Sequence, residues 1–104
     1  MKRTIAAIVL LTVYSCSLSA QSFNAAQQFK QKCAMCHGAD GKTPTTLGKN
    51  IGSPDLSSEK VQKMSDKDLH EVISHGKDKM PSYEKAFGDK NIDLMVKHVR
   101  SIKK

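Results

Sequence analysis

The feature of this 104-residue sequence that most constrains its fold is a Cys-x-x-Cys-His run at residues 33–37. Cys33 and Cys36 lie three positions apart, and His37 follows directly. Two thiols at this spacing can each form a thioether to a haem vinyl group, while the adjacent imidazole reaches the iron from one face. The run therefore predicts one covalently attached c-type haem, with Cys33 and Cys36 as its anchors and His37 as an axial iron ligand.

Two other uses of the cysteines fit the sequence less well. A zinc site would have to recruit His70 and His75, but the stretch from Cys36 to His70 is far longer than the roughly 12 to 15 residues of a zinc finger. A thioredoxin-like dithiol needs its Cys-x-x-Cys beside a strand-helix-strand pattern, and this chain has almost no alternating β-branched runs. Haem attachment is the favoured interpretation.

Residues 1–20 have the three regions of a secretory signal peptide. Lys2 and Arg3 precede an uncharged, mostly apolar run over residues 4–14, and small residues follow up to Ala20. The apolar run is too short to span a bilayer. We expect cleavage after Ala20, or slightly earlier among the serines, and export of a single domain, residues 21–104, to the periplasm.

Cys16 introduces an alternative to complete removal of this segment. Residues 13–15 loosely resemble a bacterial lipoprotein signal, in which the cysteine becomes the lipid-bearing first residue, although Tyr14 fits that pattern poorly. A lipid chain at Cys16 would anchor the exported domain to a membrane, facing the periplasm. Otherwise Cys16 is lost with the signal peptide.

Loss of residues 1–20 would leave 84 of the 104 residues, enough for one domain with a small apolar core. A haem is a large apolar plate against which short helices can bury side chains, and its covalent links tie one segment to the core. Folding is therefore expected to depend on the cofactor.

Hydrophobic periodicity predicts three helices and gives no confident sign of a sheet. Asn24 is expected to cap the first helix, which runs to about Met35 and delivers the Cys-x-x-Cys-His run. A Ser65/Asp68 capping box opens the second helix, and Asp89 is expected to cap the third. The third helix has an apolar stripe of Ile92, Met95, Val96, Val99 and Ile102, with Lys97, Arg100 and Lys103 facing water.

Residues 42–58 contain two prolines and two glycines, a composition that predicts an irregular loop. A loop of this length in a small domain usually has a function. We expect it to wrap one edge of the haem, with Leu47, Ile51 and Leu56 covering the ring.

Together these segments resemble a small class I cytochrome c over nearly the whole chain after residue 20. The family's haem-binding cysteines correspond to Cys33 and Cys36, its proximal ligand to His37, and its Gly-x-Asp-Gly continuation to residues 38–41. Its distal ligand lies in a Met-Pro pair, and Met80-Pro81 is the one such pair in this sequence. The resemblance implies an all-α fold in which three to four short helices and long loops surround one covalent haem c.

Met80 also suits the role of second axial ligand on chemical grounds, because a soft thioether sulfur favours low-spin iron and raises the reduction potential. Among the other methionines, Met35 is expected to point away, and Met64 and Met95 are interpreted as core residues.

A histidine in place of Met80 would give a bis-histidine centre of lower potential, and His70, His75 and His98 are the candidates. Each is more readily explained as a surface or packing residue. The sequence departs from the family's pattern at His98, where the last helix commonly carries an aromatic residue that contacts the first helix.

Two protein ligands leave the iron no open position, so the chemistry reduces to the gain and loss of one electron. The sequence predicts a one-electron carrier of a respiratory or related chain, and it contains no persuasive catalytic constellation. The alternative is a haem enzyme or gas sensor, peroxidase-like, in which Met80 dissociates. Ready carbon monoxide binding by the reduced protein would favour that alternative.

The chain is basic, with 17 Lys and Arg against 10 Asp and Glu. Without Lys2 and Arg3 the net charge is still +5, fifteen basic residues against ten acidic ones. Lysines predicted near the haem are Lys42, Lys49, Lys77, Lys79 and Lys85. These lysines either steer the domain towards acidic redox partners or only keep it soluble. The domain is expected to be a monomer. Nucleic acid is a poor candidate because aromatic residues do not alternate with the basic ones.

Overall fold

The computed structural model describes residue 12 and residues 22–103. Apart from Thr12, the predicted signal peptide at residues 1–20 lies outside the described residues, as does the lipid site at Cys16. Within the described part the fold is helical, and its single β-type pairing is an isolated bridge between Lys77 and Met80. No helix in this part has the length and apolar character needed to cross a membrane. The predicted all-α fold class is confirmed.

Eight helical elements follow one another along the described chain. They are α1 (Ala25–Gln28), a π-helical turn (Phe29–Cys33), α2 (Ala34–His37), α3 (Thr46–Asn50), α4 (Glu59–Gln62), α5 (Asp66–His75), α6 (Glu84–Phe87) and α7 (Asp89–Ser101). The two longest, α5 and α7, pack against each other, and α7 also packs against α1.

The first three elements run without a break, so residues 25–37 form one helical segment. Asn24 caps it as predicted, because its side-chain oxygen accepts a hydrogen bond from the Gln27 amide at 3.0 Å. The segment ends at Gly38, whose φ of 85° is one that residues with a side chain rarely adopt. The predicted end near Met35 was two residues short. The π-helical turn was also not predicted, since hydrophobic spacing does not distinguish it from α-helix.

Of the N-caps predicted for the two long helices, the one at α5 is confirmed and the one at α7 is not. The Ser65 hydroxyl accepts a hydrogen bond from the Asp68 amide at 3.0 Å, as predicted for α5. The prediction that Asp89 caps α7 was wrong, because Gly88 occupies the cap and Asp89 is the first helical residue. Its carboxylate there still interacts favourably with the helix dipole.

The core lies where α7 meets the first helical segment and α5. All five apolar residues predicted on α7 are buried, and Ile92, Met95 and Phe29 are nearly inaccessible to solvent. The Phe29 and His98 rings lie 4.9 Å apart, so an imidazole makes the contact between first and last helices. Burial lowers the pKa of His98, which favours the neutral ring in that position.

The prediction of an irregular loop over residues 42–58 was wrong for its middle part, which forms α3. The Thr45 hydroxyl accepts a hydrogen bond from the Gly48 amide at 3.1 Å and donates one to the Met35 carbonyl at 2.6 Å. Gly48 packs so closely on α2 that a Cβ at this position would lie 1.9 Å from the Cys36 carbonyl oxygen. Helices α3, α4 and α6 have four or five residues each, too few to show a period in the sequence.

Two polar side chains join α4 to the C-terminal part of α7. The two hydrogens of the Gln62 side-chain amide are shared among three backbone carbonyls, those of Leu56, Val99 and Ile102, at 2.7 to 3.2 Å. Arg100 donates to the Gln62 carbonyl at 2.7 Å, to the Met64 carbonyl and to the Asp66 carboxylate at 2.9 Å. The prediction that Arg100 simply faces water was therefore wrong, because its guanidinium satisfies the Gln62 carbonyl at the end of α4 and the Met64 carbonyl just beyond it.

Candidate functional site

A cleft with a cavity volume of about 260 Å³ opens between the helical segment, residues 51–56, α5 and the loop at residues 76–83. A smaller lobe of about 50 Å³ adjoins it and shares several of its residues. Most of the cleft's lining is apolar and includes Phe29, Leu56, Val61, Leu69, Ile73 and Val99. Such a surface excludes water and suits a flat, apolar group.

Both cysteines of the Cys-x-x-Cys-His run border this space. Cys33 lines the cleft and the lobe, and Cys36 lines the lobe. Neither forms a disulfide. Burial, with a smaller contribution from neighbouring Cys36, raises the pKa of Cys33 to about 11, so its thiol is neutral in the folded chain.

His37 is oriented by a backbone carbonyl from the segment that follows α3. Its Nδ1 lies 3.2 Å from the Pro54 oxygen. Because a carbonyl oxygen only accepts, Nδ1 carries the hydrogen and Nε2 keeps its lone pair. Burial lowers the pKa of His37 despite the opposing effect of this hydrogen bond. The ring is therefore held as a neutral base, the form that binds a metal.

Met80 reaches the same cleft and lobe from a tight turn after α5. The Met80 amide donates to the Lys77 carbonyl at 2.9 Å, and the Lys77 amide donates to the Met80 carbonyl at 3.2 Å. Gly76, with φ of 79°, makes the close approach possible, since a Cβ there would lie 2.4 Å from the Met80 oxygen. Two chain segments far apart in sequence thus bring two thiols, one imidazole and one thioether to one cavity.

This donor set fits a covalent haem. The cavity is apolar, two free thiols line it, and the His37 nitrogen that carries no hydrogen is left available. In the part of the chain that the structure describes, no group of three or more His, Cys, Asp and Glu side chains is placed to hold a bare metal ion. The zinc alternative therefore finds no support among these residues.

Comparison with known proteins agrees with the chemistry of this cleft. A family model described as cytochrome c oxidase, cbb3-type, subunit III, matches residues 23–99. The chain belongs to this cytochrome c family. Its cofactor is accordingly a covalently bound haem c.

Solved structures of c-type cytochromes resemble this chain in both fold and sequence. The structure of KustC0563, a c-type cytochrome, has a TM-score of 0.72 and 30% identity, covering 78% of this chain and 99% of that chain. A mutant of Kustc0563 has a TM-score of 0.68 and 30% identity, covering 76% of this chain and 98% of that chain. No curated protein matches the sequence.

The three other methionines that the structure describes, Met35, Met64 and Met95, differ in their surroundings. Met35 is 64% exposed and points away from the core, as expected. Met95 is buried in the core, and both Met95 and Met64 also border the cleft, which the sequence did not predict. Neither of these two borders the lobe that contains both thiols, whereas Met80 does.

The remaining histidines lie outside the lining of the cleft and the lobe. His70 on α5 bonds through Nδ1 to Asp93 at 2.8 Å and approaches Asp89 through Nε2 at 3.5 Å. His75 lies 3.5 Å from the Glu71 carboxylate. His98 packs on Phe29, as described above. These contacts explain all three as surface or packing residues.

Only some of the apolar residues predicted to cover the haem, and only some of the lysines predicted to lie near it, border the cleft. Ile51 and Leu56 line the cleft, but Leu47 is 47% exposed and lies outside its lining. Lys77 and Lys79 border the cleft, joined by Lys60 and, at the lobe, by Lys32. The other lysines predicted near the haem are exposed but line neither the cleft nor the lobe; they are Lys42, Lys49 and Lys85.

Sequence reasoning missed the backbone groups that position the predicted donors. The Pro54 carbonyl and the Gly76 backbone are examples, because any residue offers a carbonyl and because a glycine by itself does not show which residue packs against it. The glycine directly before the Lys77 turn was the one available signal, since a positive φ is needed there.

Proposed function

We propose that this cytochrome is a one-electron carrier in which Cys33 and Cys36 hold the haem and His37 and Met80 are its axial ligands. The observation that supports the proposal is the lobe lined by all four of these residues. When bound, haem c supplies the iron that takes up and releases one electron.

The part of the protein in this chemistry is to keep the same ligands in both oxidation states. The hydrogen bond from His37 to Pro54 fixes the imidazole, and the paired hydrogen bonds between Lys77 and Met80 fix the thioether-bearing turn. The apolar lining limits the water that would have to reorient when the charge changes. Small rearrangement on electron transfer is what a carrier requires.

A Met80→Ala variant tests the axial assignment. With the haem attached, we expect the variant to keep its covalent cofactor and to lose the weak long-wavelength absorption that sulfur ligation gives the oxidised form. Its reduction potential should fall, because the thioether favours the reduced iron. The absorption spectrum and a redox titration measure both effects.

Met64→Ala is the matched control, because Met64 borders the cleft but not the lobe. Its spectrum should resemble that of the unchanged protein. If Met80→Ala leaves the spectrum intact, Met80 is not a ligand. If the unchanged reduced protein binds carbon monoxide readily, the carrier proposal gives way to a haem enzyme or gas sensor.

We further propose an acidic protein surface as the redox partner's docking site. Four lysines, Lys32, Lys60, Lys77 and Lys79, border the cleft and its lobe, together with one acidic residue, Asp78, so the charge around the opening is net positive. A net charge around a cleft accelerates encounter with a partner of opposite charge, and this effect is lost in salt. The rate of electron exchange with an acidic carrier should therefore fall steeply as ionic strength rises, and a flat salt dependence would contradict the proposal.

Export to the periplasm, with cleavage after Ala20, is part of the same proposal. The mass of the haem-loaded protein purified from a host that exports it measures the cleavage site. A mass that includes residues 16–20 and a lipid would favour an anchor at Cys16 instead.

A further inference from the structure

The loop that carries Met80 is attached to the helical segment that carries the thiols by one hydrogen bond. The Tyr83 hydroxyl donates to the Lys32 carbonyl across a distance of 3.1 Å. Two further bonds lead from the loop to α5: the Tyr83 amide donates to the Ile73 carbonyl at 3.0 Å, and the Ser82 hydroxyl donates to the Ser74 carbonyl at 2.5 Å. Among the described residues, no second hydrogen bond joins residues 76–83 to residues 25–37.

The Tyr83 ring is held in the orientation that this bond requires. It stacks on Phe87 with ring centroids 5.2 Å apart and planes 13° apart. Phe87 in turn meets Phe23 edge to face at 5.2 Å, just before the helical segment begins. Burial raises the pKa of Tyr83, so the hydroxyl keeps its proton to donate. Tyr83 therefore has a fixed ring and a directed donor.

The acceptor is equally well placed, because Lys32 directly precedes Cys33 in the π-helical turn. Turns of this type recur at functional sites. The Tyr83 ring itself borders both the cleft and the lobe, alongside Cys33 and Met80. A bond at this point links the two chain segments that contribute the haem-binding side chains.

We propose that Tyr83 is a positioning residue, whose hydroxyl keeps the Met80 loop closed against the helical segment that bears the cysteines. This inference rests on the proposed function, since closure matters to the chemistry only if Met80 is a ligand. Without the hydroxyl, the loop opens more often and exposes its amides at Met80 and Tyr83, while α5 itself stays folded. Loss of one typical hydrogen bond raises the open population about fivefold.

A Tyr83→Phe variant of the haem-loaded protein tests this, because it keeps the ring stack and removes only the hydroxyl. We expect amide hydrogen exchange at Met80 and Tyr83 to become about fivefold faster. External imidazole should bind the oxidised iron about fivefold more tightly, because it competes with Met80 for the same position.

The control is Ser65→Ala, which removes the cap of α5 and leaves the bond between Tyr83 and Lys32 in place. It should lower overall stability without changing either local measurement. If Tyr83→Phe exchanges at these two amides no faster than Ser65→Ala, Tyr83 only contributes to stability and the inference is wrong. If exchange accelerates but imidazole affinity does not change, Tyr83 does close the loop and the assignment of Met80 as ligand fails instead.

Discussion

The helix side of the site, residues 25–37, and the loop side, residues 76–83, hold the residues proposed to bind the haem in different ways. On the helix side, Cys33, Cys36 and His37 are neighbours in sequence, and the helix places them. On the loop side, Met80 depends on a tight turn, a glycine with positive φ and bonds to distant residues. One side is determined by local structure and the other by tertiary contacts.

This difference predicts that the two sides respond differently to damage. Structure held by few, distant contacts opens locally at a lower free energy than structure in a packed helix. Disruption of the helix side should therefore affect the whole fold, because α1 packs on α7 and α2 on α3. Disruption of the loop side should release Met80 and leave most of the fold intact.

Gly48→Ala should have the largest effect, because it breaks the contact between α3 and α2. The new Cβ would lie 1.9 Å from the Cys36 carbonyl oxygen, which is backbone and cannot move aside cheaply. We expect the free energy of unfolding to fall by about 3 kcal/mol, the scale of severe overpacking. Urea titration followed by circular dichroism measures the change.

Lys49→Ala on the same helix is the control, since Lys49 is exposed and its loss should change stability by at most about 0.5 kcal/mol. Without the close contact, alanine would instead stabilise a helix by about 1 kcal/mol relative to glycine. A more stable Gly48→Ala protein would therefore show that α3 does not pack on α2 in this manner.

Gly76→Ala breaks the loop side and should have a smaller, local effect. Its φ is 79°, and the new Cβ would lie 2.4 Å from the Met80 oxygen and 3.0 Å from the Pro81 carbonyl carbon. We expect a loss of about 2 kcal/mol of stability, with the spectral signature of sulfur ligation weakened and the covalent haem retained.

Gly88→Ala separates the two causes of this effect. Gly88 has nearly the same φ, 77°, but nothing lies within 4 Å of the Cβ position, and it borders neither the cleft nor the lobe. It should lose only about 1 kcal/mol, from backbone strain, and keep its spectrum. Equal spectra for the two variants would show that the close approach of Gly76 to Met80 does not position the thioether.

The smallest effect concerns the ion pair that joins α5, from which the loop side extends, to α7. A hydrogen bond to Asp93, supplemented by its charge and by Asp89, raises the pKa of His70 above its ordinary value near 6.5. A raised pKa means that the folded state binds the proton more tightly. The stabilisation is thus fully present below about pH 6.5 and is lost as the pH rises through the folded value.

His70→Gln should consequently destabilise the protein more at acidic than at alkaline pH. Urea midpoints of the two proteins at about pH 5.5 and pH 8.5 measure the difference, on either side of the ordinary histidine pKa. The pKa of His98 is lowered, so its titration has the opposite effect on stability. Because both proteins contain His98, this effect does not contribute to the difference between their midpoints. The same midpoint difference at both pH values would contradict an ionic role for His70.

The sequence predicted most where neighbouring residues decide the outcome. The caps at Asn24 and Ser65 and the buried stripe of α7 followed from local hydrogen bonding and helical period. The sequence did not predict the short helices α3 and α6. Nor did it predict the hydrogen bonds that Gln62 and Arg100 make to residues far away in the chain. A side chain with many possible partners shows its actual one only after the chain has folded.

By itself, then, the sequence determined the helical class and the cofactor, since a Cys-x-x-Cys-His run places three groups suited to binding haem on one short segment. The tertiary structure decided how Met80 is brought to the thiols, which carbonyl orients His37 and which lysines border the cleft. The physical reason is that these arrangements depend on the close approach of residues far apart in the chain. Such contacts depend on the packing of the whole domain, which the residue pattern of one segment does not show.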